Sequence, residues 1–379
     1  MTKSMNLRHI ALAFGVLVSA ACTAQHATLI ADNHDGVVVR FDFSDPMFQE
    51  VETPDGTAII PRVLGDTPLL RQGNPDLSKV DATLLIGAQV GTALEVVDME
   101  YTDFSGMEVA PDKGNIFRNV DPSTVPFVQG AAYGIDAFYP AQPAVLRTPF
   151  VQRGLRGQVV WGHPFQYNPV SGVLRAYQSI TVRITETEAA PVNPAVATVR
   201  MTSGSAGDVA QRFLNASTFE DRYDYIEEHG KVVVVTDAMY DDVLAPLIQW
   251  KREKGLETEV VYAADFDNDY DQVKDFLADQ YFNEGLTHVI LAGDEDQVPA
   301  TLVTNSGGTG YCDPCYGFVE GNDHYPEFFV GRMLVHTVAE MQTLVDRTLE
   351  YEKTPFMGEE WFNIAVGIGS NEGAGIGDN

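Results

Sequence analysis

The residues best suited to chemistry in this chain are carboxylates that follow an apolar, strand-like run. Asp294 comes directly after such a run, and more acidic residues follow in the loop 316–327. If that loop is extended, Asp323, Tyr325 and Glu327 project to one side, because side chains alternate along a strand. Ca²⁺ prefers about six to eight oxygen ligands. The pattern predicts an oxygen cage for calcium, although an acidic surface loop held by hydrogen bonds explains the same residues.

Two of the three cysteines, Cys312 and Cys315, are separated only by Asp and Pro. Outside the cytoplasm such a pair can close a small disulfide. Two free thiols are the alternative, whereas a zinc site would need a second pair of ligands nearby. His324 follows Cys315 but has no evident partner to orient it, as a catalytic thiol–imidazole pair would require. We therefore interpret His324 as a packing residue of the loop.

Two further acidic patterns carry weaker signals. Glu372 lies in the glycine-rich segment 367–377, where it could orient a catalytic group or be an ordinary loop carboxylate. That segment lacks both the glycine order and the lysine of a phosphate-binding loop. The aspartates of 265–271 have a spacing similar to that of an EF-hand, but Tyr270 stands where the loop needs glycine. They indicate a solvated helix start instead.

The elements that must position these residues fall into two groups. From about 28 to 185, apolar and polar residues alternate with a period of two, as in 37–43 and 180–184. Turn residues are frequent there, and we expect an all-β sandwich domain over 25–185. Residues 186–208 are rich in Ala, Pro, Thr, Ser and Gly, a composition typical of a linker.

From residue 231 the pattern changes to buried strands that alternate with amphipathic helices. Continuous apolar runs at 231–236, 257–262, 288–292 and 328–333 predict a parallel sheet covered on both faces. Thr337 and Glu340 have the spacing of a capping box at the start of a helix. A fifth apolar run at 362–368 precedes the glycine-rich end, so we expect the α/β domain to be incomplete. In such sheets, sites form beyond the carboxyl ends of the strands.

The first 24 residues have the pattern of a signal peptide: a basic start, a short apolar run and small residues before the cleavage site. Cys22 would allow lipidation as an alternative to ordinary cleavage. No run is long enough for a transmembrane span. The formal net charge of −30 makes nucleic acid an unfavourable partner, because a phosphate backbone would be repelled.

At this point the chain resembles a known family, the gingipain-like cysteine peptidases. Residues 232–379 are similar to the first half of the gingipain catalytic domain, and 164–184 resemble the β-rich propeptide of that family. The motifs that carry the resemblance keep their order along the chain: Trp250–Lys251, Lys254–Leu256, Thr258–Val260, Leu291–Asp294, Val298–Ala300, Tyr316–Gly317, Gly321–Tyr325, Gly331–Arg332, Asp346–Thr348, Tyr351–Glu352 and Glu372–Gly373.

The resemblance implies an α+β multidomain zymogen, in which an all-β propeptide sandwich precedes a partial caspase-like parallel-sheet domain at 223–379. It implies calcium ligands at Asp294, Asp323 and Glu327, completed by the carbonyls of Glu320 and Tyr325.

It also implies that Glu372 lies near the catalytic histidine, and that 186–222 is a linker and activation segment ending at a processing junction, Arg222–Tyr223. The catalytic histidine and the nucleophilic cysteine of the family are expected after residue 379. Their chemistry would be thiolate attack on a peptide carbonyl.

The favoured hypothesis is therefore a secreted or cell-surface bacterial cysteine endopeptidase zymogen, with an outer-membrane lipoprotein anchored at Cys22 as one form. Its partners would be protein and peptide substrates and its own propeptide, acting as an intramolecular inhibitor. The fragment itself would be inactive. The alternative is a non-catalytic extracellular surface or adhesion protein with a degenerate peptidase-like domain.

Overall fold

The structure is a computed structural model, which describes residues 26–117, 120–196, 209–218, 230–305, 308–353 and 364–366. The predicted signal peptide with Cys22, the junction Arg222–Tyr223 and Glu372 lie outside these described residues. No helix in the described ranges is long and apolar enough to cross a membrane.

The alternating pattern of the first half builds strands, and the connections are turns and two short 3₁₀ helices. The strands of this N-terminal unit are β1 (Ala27–Asn33), β2 (Gly36–Asp42), β3 (Met47–Thr53), β4 (Gly56–Arg62), β5 (Thr67–Pro68), β6 (Ser78–Leu85), β7 (Gly91–Ser105), β8 (Ala144–Leu146), β9 (Phe150–Gln152), β10 (Leu155–Gly162), β11 (Phe165–Asn168) and β12 (Val173–Thr187).

These strands form two five-stranded sheets and one separate hairpin. The first sheet has the order β1-β2-β12-β11, and β7 also pairs with β12. The second has the order β5-β6-β10-β8, and β9 also pairs with β10. Phe41 and Val182 of the first sheet and Leu84 and Val160 of the second belong to one buried core. The two sheets therefore stabilise each other by burying a shared apolar face.

The second unit contains a four-stranded parallel sheet. Its strands are β13 (Lys231–Thr236), β14 (Glu257–Tyr262), β15 (Leu286–Ala292) and β18 (Phe329–Met333), in the order β14-β13-β15-β18. The predicted parallel strands at these four positions are thus confirmed. Every residue of β13 is buried, as expected for a strand covered by helices on both faces.

Among the described residues, three helices cover this sheet: α1 (Asp241–Glu253), α2 (Tyr270–Glu284) and α3 (Val338–Lys353). Val232 and Val234 point towards α1 and α3, whereas Val233 and Val235 belong to the core formed with α2. This division follows from the alternation of side chains along β13.

The predicted capping box at the start of α3 is confirmed. The Glu340 N–H donates to Thr337 Oγ1 at 3.3 Å, and the Thr337 N–H donates to Glu340 Oε2 at 3.0 Å. Each side chain thereby satisfies a main-chain donor that the first turn of a helix leaves unpaired. Met341 and Val345 are fully buried on the inner face of the helix.

Two features of the second unit differ from the prediction. A hairpin of β16 (Thr301–Asn305) and β17 (Gly308–Cys312) follows β15, and these two short strands were not predicted. In the apolar run 362–368, the described residues Ile364–Val366 are exposed and have no regular secondary structure.

The linker predicted at 186–222 is not a free tether in its described parts. Phe213 is buried against Phe150 and Leu155 of the N-terminal unit. The buried Asn215 bonds both main-chain groups of Leu85, accepting from the N–H at 2.7 Å and donating to the carbonyl at 3.0 Å. These contacts attach 209–218 to the N-terminal unit, despite a composition that favoured flexibility.

One buried charge ties the N-terminal unit to the residues that follow β12. Arg156 on β10 is fully buried, and its guanidinium donates to the carbonyls of Gly87, Val90, Val192 and Asn193 at 2.8–2.9 Å. A buried carbonyl that loses its donor costs about 1–3 kcal/mol. Arg156 therefore holds residues from two distant segments against the sheet.

We predict that Arg156→Met lowers the free energy of unfolding of the N-terminal unit by at least about 3 kcal/mol, because the four carbonyls lose their donor while the volume is largely kept. Urea denaturation measures this change. The matched control is Arg147→Met, which removes an exposed guanidinium stacked 4.1 Å from the Trp161 ring and should cost about 1 kcal/mol or less. Equal losses of unfolding free energy in the two variants would contradict the role given to Arg156.

Candidate functional site

The acidic loop lies at the amino end of the parallel sheet. After the 3₁₀ helix Pro314–Gly317 the chain runs back along the sheet, and Glu327 reaches a position two residues before β18. The Glu327 N–H donates to the carbonyl of Gly317 at 2.8 Å, which closes the loop. The sequence predicted this loop at the carboxyl ends of the strands. Its actual position follows from the parallel direction of β18, which the loop must enter from the amino end.

Asp294 lies at the opposite end of the sheet, two residues after the end of β15. The register pairs His288 with Phe329, so Asp294 and Glu327 are separated by roughly 25 Å along the strand direction, at about 3.3 Å per residue. The structure therefore does not bring Asp294 to the other predicted calcium ligands.

Asp294 has partners of its own. Its carboxylate accepts from the Glu295 N–H at 2.9 Å and contacts His336 Nδ1 at 2.7 Å. The hydrogen bonds from Glu295, followed by the charges of His336 and Arg332, hold the pKa of Asp294 below its usual range. His336 was not singled out in the sequence, because only the turn before α3 brings it to the end of β15.

Two carboxylates of the loop share one buried hydroxyl. Tyr281 Oη on α2 lies 3.4 Å from Glu320 Oε2 and 3.3 Å from Glu327 Oε2, and all three residues are buried. Burial, followed by the negative charge of Glu320, raises the pKa of Glu327 to about 9. Burial likewise raises the pKa of Glu320, and it combines with the two carboxylates to hold the pKa of Tyr281 well above its usual value.

The N-terminal unit supplies main-chain donors to these two glutamates. The Gly154 N–H donates to Glu327 Oε2 at 3.2 Å, and the Val196 N–H donates to Glu320 Oε1. The other oxygen of Glu327, Oε1, is buried and accepts no hydrogen bond from the residues that the structure describes. Because Glu327 is only 2% exposed, leaving that oxygen without a partner destabilises the folded state unless a proton or a cation satisfies it.

Asp323 is also held by the N-terminal unit. Its Oδ2 accepts from the Val151 N–H at 2.8 Å and from Asn193 Nδ2 at 3.0 Å, and its Oδ1 accepts from the Tyr325 N–H at 3.0 Å. All three acidic side chains of the loop therefore bond to main-chain or amide donors from residues 151–196. This contact is the largest functional feature that the sequence did not indicate.

Ring contacts surround the bonded carboxylates. The rings of Phe150 and Tyr325 lie 4.5 Å apart, and the guanidinium of Arg153 lies 3.3 Å from the centroid of the Phe329 ring. Arg153 is itself buried, with 8% of its surface exposed. Tyr325 and Phe329 stay 42% and 39% exposed, so these contacts pack the N-terminal unit against the loop without closing it off from water.

The donor set fits a hard cation in part. Glu320 and Glu327 converge on one hydroxyl, Asp323 lies on the same loop, and the carbonyls of Glu320 and Tyr325 belong to that loop as well. Within the described ranges, however, no three His, Cys, Asp or Glu side chains are already close enough to hold a metal ion. The carboxylates turn towards the donors of the N-terminal unit instead.

The two cysteines of the second unit are joined in a disulfide between the end of β17 and the 3₁₀ helix that follows. The Cα atoms of Cys312 and Cys315 are 5.4 Å apart. Neither cysteine is therefore available as a nucleophile in this form. His324 packs edge-on against Phe318 at 5.7 Å between ring centroids, which agrees with a packing role.

Comparison with known proteins follows the division into two units. The family model Propeptide_C25 matches residues 23–223, and the model of Peptidase family C25 matches residues 225–379. The chain is 34% identical over 348 residues to Gingipain R1 of Porphyromonas gingivalis, which covers 90% of this chain and 34% of that protein. Gingipain R2 of the same species is 32% identical over 348 residues and is covered to 46%.

Among solved structures, a complex of the pro- and mature domains of RgpB from Porphyromonas gingivalis matches with a TM-score of 0.47 and 30% sequence identity. The match covers 51% of this chain and 98% of that one. The present chain spans about a third of Gingipain R1. Because the propeptide model alone matches more than half of the 379 residues, the chain belongs to the C25 peptidase family, with the propeptide in its N-terminal unit and a peptidase region in its second unit.

Proposed function

We propose that this chain is the propeptide and the first part of the peptidase domain of a secreted cysteine endopeptidase, which acts on protein and peptide substrates. The observation that carries the proposal is the engagement of a peptidase-region loop by the propeptide: Glu320, Asp323 and Glu327 all accept hydrogen bonds from residues 151–196. An N-terminal unit that buries charged groups of the peptidase region suits an intramolecular inhibitor, which must stay in place until activation.

In this proposal the reaction is thiolate attack on a peptide carbonyl, with histidine as base and then acid. The disulfide-bonded Cys312 and Cys315 do not supply the thiolate, and the resemblance implies that the nucleophilic cysteine and the catalytic histidine lie elsewhere in the protein. The peptidase domain would have the caspase-like arrangement, and Glu372 would orient the histidine. The carboxyl end of the sheet, where Asp294 and His336 meet, is the edge at which such groups assemble.

Activation would cut the chain at Arg222–Tyr223. This assignment is supported by the boundary between the two family matches, of which the first ends at residue 223 and the second begins at 225. It also agrees with the attachment of 209–218 to the propeptide, because Thr218 Oγ1 donates to Asp32 on β1 at 2.8 Å. The signal-like first 24 residues support export to the cell surface or medium of a bacterium, and Cys22 would allow lipidation.

We further propose that the acidic loop binds a structural Ca²⁺ through Glu320, Asp323 and Glu327 and the carbonyls of Glu320 and Tyr325, without Asp294. The supporting observation is the buried Oε1 of Glu327, which has no hydrogen-bond partner among the described residues, while burial raises the pKa of the carboxyl to about 9. A divalent cation would supply the missing charge to oxygen ligands of the type that calcium prefers.

The calcium proposal predicts opposite effects of Glu327→Gln with and without the metal. Folded Glu327 keeps its proton up to a pKa of about 9, whereas the unfolded group ionises near 4.5, so stability falls as pH rises between these values. In chelator at pH 8, the neutral glutamine should raise the free energy of unfolding by roughly 3–5 kcal/mol. In the presence of Ca²⁺, the free energy of unfolding of the wild-type chain should rise, and that of Glu327→Gln should not.

Thermal or urea melts of the full chain in EDTA and in millimolar CaCl₂ measure both effects. The matched control is Glu284→Gln at the exposed end of α2, which should change neither value by more than about 0.5 kcal/mol. A wild-type chain whose melting does not respond to calcium or to chelator would remove the metal from the proposal and leave the peptidase assignment intact.

The peptidase proposal predicts that the protein carrying these residues together with the sequence after position 379 hydrolyses peptides. Iodoacetamide should reduce that activity more than tenfold, because it alkylates the thiolate, and a serine-directed reagent should leave it unchanged. The 379-residue chain alone should be inactive in the same assay. Thiol-dependent hydrolysis by that chain, or its absence in the extended protein after removal of the propeptide, would refute the assignment.

A further inference from the structure

The side chain of Asn193 bonds three residues in two separate parts of the chain at once. Its Nδ2 donates to the carbonyl of Pro149 and to Asp323 Oδ2, each at 3.0 Å, and its Oδ1 accepts from the Asn322 N–H at 2.7 Å. Its backbone is left-handed, with φ of +52°, a conformation that asparagine adopts more readily than most residues. A side chain able to donate and accept is needed here, since the peptidase region presents both an N–H group and a carboxylate.

The residues around Asn193 are fixed from the propeptide side. Arg156 donates to the carbonyls of Val192 and Asn193. Ala195 is 1% exposed, and its N–H donates to the carbonyl of Ala88 at 3.0 Å. We call residues 192–196 the strap.

Other hydrogen-bonding groups of the strap bond the peptidase region. Asn193 bonds Asn322 and Asp323, and the Val196 N–H bonds Glu320. The strap therefore lies between the propeptide sheets and the acidic loop and bonds both. It ends well before the proposed junction at 222–223, so cutting there breaks none of these bonds.

We propose that the strap holds the propeptide on the peptidase region and that Asn193 is the residue that positions it. This inference rests on the proposed zymogen organisation. It assigns the attachment of the propeptide to a segment that has the composition of a linker. Aspartate at position 193 would lose the Nδ2 donor, face the carboxylate of Asp323 and repel the loop. Glycine would keep the left-handed backbone and lose both side-chain bonds to the peptidase region.

The test uses the full chain with a recognition sequence for a site-specific protease placed at 222–223. The chain is folded, cut, and kept in EDTA, and the dissociation constant between the two resulting pieces is measured by dilution and size-exclusion chromatography. We expect Asn193→Asp to weaken the association about tenfold to a hundredfold, because hydrogen bonds to a charged group are lost. Asn193→Gly should weaken it about tenfold.

The matched control is Asn268→Asp, since Asn268 is an exposed asparagine that also has a left-handed backbone, with φ of +53°. It adds the same charge and should change the dissociation constant less than twofold. Equal dissociation constants for the Asn193→Asp, Asn193→Gly and wild-type chains would overturn the proposal. So would equal weakening in Asn193→Asp and Asn268→Asp, which would indicate a general effect of charge.

A second variant separates a lost contact from a folding defect. Asn193→Asp is therefore measured a second time in a chain that also carries Asp323→Asn, where two carboxylates no longer face each other. In that background Asn193→Asp should weaken the association at least fivefold less than it does in the wild-type chain. A folding defect of the propeptide would weaken the association equally in both backgrounds, and that result would overturn the role of Asn193. Because EDTA is present and no hydrolysis is measured, failure here leaves both the calcium site and the peptidase proposal to their own tests.

Discussion

Carboxylates removed from water need hydrogen-bond donors or positive charge, and this requirement explains how the two units meet. Glu320 and Glu327 are 5% and 2% exposed, a state in which an unsatisfied ionised group would destabilise the fold. The propeptide satisfies much of this need through its main chain. Arg153 and Gly154, at the turn between β9 and β10, both have positive φ, as in the tight two-residue turns that join antiparallel strands. That turn directs the Gly154 N–H outward to Glu327.

Main-chain donors give this interface a particular kind of specificity. The N–H groups of Val151, Gly154 and Val196 would be present with any side chain except that of proline, so their contribution depends on backbone shape. Side-chain identity matters where one group must satisfy several partners, as for Arg156, which bonds four carbonyls. The β9–β10 turn and the buried guanidinium of Arg156 therefore act together. The turn presents the Gly154 N–H to the loop, and the guanidinium fixes the segment after β12 that carries the Val196 N–H.

Sequence reasoning succeeded where a local pattern determines the structure. Runs of β-branched residues predicted the four parallel strands, and the spacing of Thr337 and Glu340 predicted the start of α3. It failed where position depends on the path of a loop. Asp294 and Glu327 were grouped because both adjoin strands, but one follows β15 and the other precedes β18. In a parallel sheet these positions are at opposite ends, and only knowledge of which strand the loop enters distinguishes them.

The strap shows a second limit of composition. Pro, Ala and Val in a short segment are typical of a flexible linker, since they form no periodic pattern. Nothing in the local sequence indicates that a buried arginine, more than thirty residues earlier, bonds this segment. The hydrogen bonds of the strap run to partners 36 to 130 residues away in sequence. Contacts of that range require both sheets and the peptidase loop to be in place. The segment is therefore ordered by the completed fold, which is why its role follows from the contacts of Asn193 and is absent from its composition.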